Sequence, residues 1–218
     1  MDDIEFRFLY LLQDLHTPLV DGLMTLITSL GDHGIFWLLL AAVLFAVPRT
    51  RLMGACMLVS IGIGFLLGNV ALKNLIARDR PCWLDPTVQL LVQVPRDYSF
   101  PSGHTLVSFE GGVTIFMFNR KWGIPALMLA VLIAFSRMYL FVHFPTDVLA
   151  GMALGIIIAW SVARTAKRMS TAKDISTAKD ISTSKGMGIA SGMGTASGMG
   201  TAKGSEENQR QDDERLTE

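Results

Sequence analysis

Five stretches of this chain, near residues 34–48, 53–77, 103–119, 123–142 and 146–163, run almost without charge, and a weaker sixth covers 18–30. Crossing about 30 Å of hydrocarbon takes roughly 20 mostly apolar residues in a helix, because in lipid every backbone N–H and C=O must find its partner within the segment. The pattern predicts an all-α fold, a polytopic membrane bundle of about six transmembrane helices. Ahead of it, residues 1–17 mix Ile4, Phe6, Phe8, Leu9, Leu11, Leu12 and Leu15 with charges, which predicts an amphipathic interfacial segment. Asp2, Asp3 and Glu5 stand where a secretory signal needs positive charge, so this segment is expected to stay.

The expected organisation has three parts. Residues 1–17 lie at the interface, 18–168 form the membrane domain, and 169–218 are a low-complexity tail. From Ser170 the hexapeptide Ser-Thr-Ala-Lys-Asp-Ile occurs twice, then passes into Gly-Met-Gly repeats and an acidic end. A period of six can build a solenoid, but this one has too few bulky apolar residues to offset ordering entropy. The expectation is a disordered cytoplasmic tail, with a docking segment as the alternative and no motif that identifies a protein partner. Formal net charge is +0, which argues against a nucleic-acid partner. Cys56 sits in an apolar run and Cys82 in a loop, poor partners for a disulfide.

Basic residues in short loops favour the cytoplasm. Arg49 and Arg51, then Arg120 and Lys121, then Arg164, Lys167 and Arg168 follow the second, fourth and sixth stretches. They share one side. The opposite loops gather three polar motifs, which places those motifs at the outer face. Helix ends that snorkel explain any single Lys or Arg there. Several ionised groups on one side of a bundle, each costing on the order of 2.5–3.5 kcal/mol within a span, call for a compensating partner, and an anionic ligand is one.

In the first motif, Lys73 and Arg80 are seven residues apart, two helical turns, so both can face one phosphate before Pro81 stops the helix. Arg78 reads as an ordinary basic helix end. In the second, Pro101-Ser102-Gly103-His104 precedes an apolar helical run, with Ser102 as its cap and Gly103 letting a ligand reach the backbone. Unpaired N–H groups and the helix dipole attract an anion there, beside His104. In the third, Ser136-Arg137 is followed by His143, and Asp147 stands four residues later, past a Pro145 suited to open a helix. A carboxylate one turn from an imidazole can hold one ring nitrogen and leave the other for a substrate. The same pair also suits a structural hydrogen bond or two metal ligands, but Lys73, Arg80 and Arg137 would repel a cation.

Together, Lys-x6-Arg-Pro, Pro-Ser-Gly-His and Ser-Arg-x5-His-x3-Asp resemble the signature of the type 2 phosphatidic-acid phosphatase superfamily. All eleven specified positions match, over about residues 18–168. The run His143-Phe-Pro-Thr-Asp-Val-Leu-Ala-Gly151 is most similar to the bacterial membrane branch, which includes undecaprenyl-diphosphate and phosphatidylglycerophosphate phosphatases. The resemblance implies that His143 attacks phosphorus and forms a phosphohistidine, Asp147 orients it, and His104 protonates the leaving oxygen and then activates water. Lys73, Arg80 and Arg137, with backbone N–H groups around Ser102 and Gly103, would stabilise the transferring phosphoryl group. It implies no cofactor, no metal, and a membrane lipid phosphate as substrate, with undecaprenyl diphosphate the best fit.

The remaining polar residues carry less. Glu110 lies about 9 Å along the helix from His104, which suits a structural role, closing a hydrogen-bond network with Asn69 or lining a polar cavity. His16 and His33 read as surface or interfacial residues, and Trp83 and Tyr98 as interfacial anchors near the entrance. Competing readings are a phosphotransferase passing the group to a lipid or sugar acceptor, a haloperoxidase, and a non-enzymatic lipid or anion transporter. A transporter's charges should lie near the midplane.

Overall fold

The computed structural model describes residues 3–193. All the regular structure among them is helical. A first helix, α1 (Asp3–Gln13), is followed by α2 (Pro18–Ser29), a 3-10 turn (Asp32–Gly34), α3 (Ile35–Ala46) and α4 (Arg51–Gly64). The last continues through π-helical turns at Phe65–Leu72 into α5 (Lys73–Ile76). A one-turn α6 (Pro81–Leu84) and a long irregular loop lead to α7 (Gly103–Phe118), α8 (Arg120–Tyr139) and α9 (Pro145–Met193).

Local chemistry sets these boundaries. Thr17 caps α2, its hydroxyl accepting from the Val20 amide at 3.4 Å, with Pro18 in the first turn, where a missing N–H is harmless. Asn119 caps α8, its side-chain oxygen accepting from the Lys121 and Trp122 amides. Pro145 opens α9 as its position predicts. Pro81, by contrast, does not end the helix that carries Lys73. That helix ends at Ala77, in the left-handed region at φ 46°, and Pro81 begins α6 instead.

Among the described residues, four helical stretches can by length and composition cross a membrane: Pro18–Ala46, Arg51–Leu84, Arg120–Tyr139 and Pro145–Thr177. The difference from six has two sources. A tight turn joins α2 and α3 into one stretch, and α7 has only 16 residues. α7 is short because it is central, with an unbroken buried run from Ser108 to Ile115. It packs against α4 and α8, and Gly151 and Gly155 bring α9 against its backbone. A Cβ at those glycines would meet the Ser102 and Leu106 carbonyl oxygens at 2.6 and 2.7 Å. Trp37 of α3 fills the remaining side, its indole N–H donating to the Ser108 hydroxyl at 3.1 Å. Leu19, Leu26, Leu39, Leu66 and Ile157 point outward, a surface suited to hydrocarbon.

The chain divides into two compact units, Met1–Met169 and Ser170–Glu218. In the second, α9 continues through the repeats to Met193, where composition predicts disorder from residue 169. Lengthening an existing helix needs no new nucleus, which is the main cost that such a weakly apolar segment would otherwise face. The expectation for 194–218 lies outside the described residues. Within the first unit the basic loops do share one end. Lys167 donates to the Met117 carbonyl, and Leu52 lines one crevice with Thr165 and Met169. Cys56 and Cys82 are buried and free.

Candidate active site

At the opposite end of the bundle, a cavity of about 960 Å³ is lined by Lys73, Arg80, Gly103, His104, Arg137 and His143. They come from five places: Lys73 from α5, Arg80 from the bend before α6, Gly103 and His104 from the first turn of α7, Arg137 from the last turn of α8 and His143 from the loop before α9. Three cations are thus buried together, with Lys73 7%, Arg80 2% and Arg137 5% exposed. Buried like charges call for anions.

One anion is the protein's own. Asp97, on the loop before α7, pairs with Lys73 and with Arg80 Nη2, the latter at 2.7 Å. Burial disfavours its ionisation, but the hydrogen bond and charge of Lys73, with Arg80, outweigh this and lower its pKa to about 2. Arg80 also donates to the carbonyls of Asp97 and Val142, and its Nη1 lies 3.0 Å from His143 Nε2. Arg137 donates to Thr28 Oγ1 at 2.6 Å and leaves Nε buried without a hydrogen-bond partner among the described residues. That donor is one an anion would satisfy.

His143 is 1% exposed. A guanidinium can only donate, so the contact with Arg80 makes Nε2 the acceptor and places the ring proton on Nδ1. Burial, then the charges of Arg80, Arg137 and Lys73, hold this imidazole well below its ordinary pKa and hence neutral. The neighbouring carboxylate is one step further away than the spacing suggests. His143 Nδ1 and Asp147 Oδ2 are 3.7 Å apart, with Ser99 Oγ between them, 3.3 Å from Nδ1 and donating to Oδ2 at 2.5 Å. The Phe144 amide donates to the same oxygen at 2.9 Å.

Asp147 Oδ1 accepts from Arg78 at 2.7 Å, and Arg78 also pairs with Glu5 of α1 at 2.5 Å and stacks over the Phe144 ring. Arg78 is therefore not an ordinary helix end. It sits just past the left-handed Ala77, which turns it away from the cavity and toward Asp147. The amphipathic α1 is docked here too, with Phe6 against Phe141 and Phe144. Glu5 also accepts from Thr146.

Ser102 holds the N-cap position of α7, but its hydroxyl makes no capping bond and accepts instead from Thr105 Oγ1 at 3.0 Å. The first amides of α7 thus keep their donors open toward the cavity at Gly103. His104 Nε2 lies 2.9 Å from Asp32 Oδ1. Glu110 lines the cavity as expected, 1% exposed, and Gly64 makes room for its carboxylate. Its Oε1 and Asn69 Oδ1 have no hydrogen-bond partner among the described residues, so the expected network between them is not formed. His16 stacks on Tyr139 at 4.3 Å, and Trp83 meets Tyr98 edge-on. Arg78, Ser99, Asp97 and Asp32 were not legible as site residues. The carboxylates and the serine lie outside the motifs and far along the chain from the groups they meet.

A pocket of buried cations and open helix-start amides around a histidine suits an anionic group such as a phosphoryl group. The PAP2 superfamily model matches residues 49–170, and the chain belongs to that family. It is a phosphatase. It is 38% identical over 143 residues to the undecaprenyl-diphosphatase of Sulfolobus acidocaldarius, covering 65% of this chain and 68% of that one. To the undecaprenyl-diphosphatase BcrC of Bacillus subtilis it is 30% identical, covering 66% and 74%. The fold is similar to the crystal structure of a transmembrane PAP2-type phosphatidylglycerolphosphate phosphatase from Bacillus subtilis. That match has a TM-score of 0.62 at 29% identity, over 77% of this chain and 88% of the other.

Proposed function

We propose that this protein is an integral-membrane lipid phosphatase that converts undecaprenyl diphosphate to undecaprenyl phosphate and inorganic phosphate. The observation that carries this reading is the neutral His143, its Nε2 lone pair turned to Arg80 in a cavity shared with Lys73, Arg137 and His104. As Arg80 Nη1 turns from Nε2 to a phosphoryl oxygen, the freed Nε2 lone pair attacks the terminal phosphorus while the bond to the bridging oxygen breaks, and His104 protonates that oxygen. Water, losing a proton to His104, then cleaves the phosphohistidine and releases phosphate. Lys73, Arg80 and Arg137 with the Gly103 amide carry the charge of the phosphoryl oxygens. Asp147 fixes the Nδ1 proton through Ser99.

The membrane domain of this reading spans residues 18–168 with six crossings, α2, α3, α4 with its extension, α7, α8 and the first part of α9. The basic loops face the cytoplasm, as does the tail from residue 169, and the cavity faces outside. A lipid head group enters there while its chain stays in the bilayer. The support is the placement of basic residues and motifs at opposite ends.

The test is phosphate release from undecaprenyl diphosphate, phosphatidylglycerophosphate and phosphatidate, with chelator present and with His143→Ala as control. Release fastest from the diphosphate, unchanged by chelator and absent in the variant, is the expected result. Undiminished release by His143→Ala sinks the nucleophile assignment, and loss with chelator brings back a metal. Preference for phosphatidylglycerophosphate moves the substrate toward that of the Bacillus subtilis structural relative. Transfer of the phosphoryl group to an added lipid or sugar alcohol makes the protein a phosphotransferase.

A further inference from the structure

We propose that Asp32 is the positioning residue of the acid/base histidine, giving His104 a carboxylate partner as Asp147 does for His143. The inference rests on the proposed role of His104 as proton donor and acceptor. Asp32 lies before α3, outside the 49–170 match and outside the three motifs. Its Oδ1 is 2.9 Å from His104 Nε2, and both residues line the cavity.

The turn around it is shaped to the ring. A Cβ at Gly31 would stand 2.6 Å from His104 Cδ2, so only glycine lets the backbone lie against the imidazole. His33 at φ 51° and Gly34 at φ 68° follow, two successive left-handed residues, and a Cβ on Gly34 would press on Val107 at 3.1 Å. A non-glycine residue held in that region costs energy that its surroundings must offset, and such residues gather at functional sites. An exposed ion pair alone would need none of this. Asp32 keeps about half its side chain in solvent, at 53%, while the ring it holds is 21% exposed.

The chemistry follows from which nitrogen is engaged. With Nε2–H donating to Asp32, Nδ1 is the nitrogen free to exchange a proton with substrate. In the first half-reaction Nδ1–H passes its proton to the leaving oxygen, and the ring becomes neutral with its remaining proton on Nε2. In the second, Nδ1 takes a proton from the attacking water, and the carboxylate stabilises the imidazolium that forms. Asp32 itself stays ionised throughout and touches neither phosphorus nor leaving group.

The test uses the full-length protein in detergent and compares kcat/KM for two probes, dioctanoyl phosphatidate and p-nitrophenyl phosphate. The first expels an alkoxide that needs a proton, and the second expels a phenolate that does not. General acid catalysis contributes roughly 10²–10⁴-fold, so Asp32→Asn is expected to lose about tenfold or more on phosphatidate and much less on p-nitrophenyl phosphate. Asp32→Glu should recover part of the loss. A merely structural role lowers both probes alike. Equal loss on both, or loss on neither, overturns the proposal when His104→Ala still discriminates between the probes. If His104→Ala does not discriminate, or His143→Ala stays active, the underlying mechanism falls and this inference with it. A wild type that cleaves neither probe counts against it as well.

Discussion

At the residue scale, the environment of His143, the proposed nucleophile, sets a pH dependence. In the proposed mechanism the neutral imidazole is the active form, and burial with three neighbouring cations lowers the His143 pKa, so neutrality persists as pH falls past the ordinary 6.5. The acid limb of kcat/KM should therefore lie below pH 6.5, as a rate profile from pH 4 to 9 would read. Asp97 does not set that limb. Its carboxylate, with a pKa lowered to about 2, is fully ionised above its ordinary 3.8, and its ion pairs are lost only as pH falls toward 2. Because Asp97 engages two of the cations that a phosphate would use, Asp97→Asn should tighten competitive inhibition by inorganic phosphate, measured as a lower Ki. Arg78 predicts the opposite kind of effect. Arg78→Ala strips Asp147 of a charged donor, an interaction on the order of 1.5–3 kcal/mol. It should lower kcat several-fold with KM little changed, and Glu5→Gln should follow it in the same direction. Lys73, Arg80, His104, Arg137, His143 and Asp147 were legible because each stands in one of three motifs that together resemble a family signature, and counting the apolar stretches put those motifs at one end of the bundle. Their partners were not, since Ser99 and Asp97 sit on an irregular loop whose path no periodicity encodes.

At the element scale, the apolar stretches correspond to helices, and four of the helical stretches among the described residues are long and apolar enough to cross a membrane. The length of α7 was readable, yet its central burial was not, because the seam that buries it comes from α4, α8 and α9 together. Its polar lining of Ser108, Glu110 and Thr114 is tolerated only because other helices cover it. Proline read correctly at Pro145, which opens α9, and wrongly at Pro81. Pro81 starts a helix where it was expected to stop one, whereas Gly151 and Gly155 mark the line along which α9 meets α7. A Cβ at Gly151 falls against backbone that cannot yield as a flexible side chain would. Gly151→Val should therefore destabilise the protein by about 1–3 kcal/mol, the usual range for overpacking. It should also reduce activity by shifting Asp147 one turn away, and a thermal melt in detergent alongside the rate would show both.

At the scale of the whole molecule, the basic loops and the cavity occupy opposite ends of the bundle. With Cys56 and Cys82 replaced by serine, a cysteine at Asp85 should react with a membrane-impermeant thiol reagent in intact cells. One at Thr50 should react only after permeabilisation. The reverse labelling pattern would turn the protein over and remove the outward site. Between Ser170 and Met193 the chain continues α9; composition says how a segment behaves alone and not how it behaves as the continuation of a formed helix.

The π-helical turns at Phe65–Leu72 make the site sensitive to angular phase. An α-helix advances about 100° per residue, at 3.6 residues per turn, so a local change of winding rotates everything beyond it. Lys73 is the first residue after those turns. Adding or deleting one residue in the wide segment would swing its ammonium group about a quarter of the way round the helix and off the cavity. Substitutions that leave the count alone would not. For this stretch of chain, the number of residues matters more than their identity.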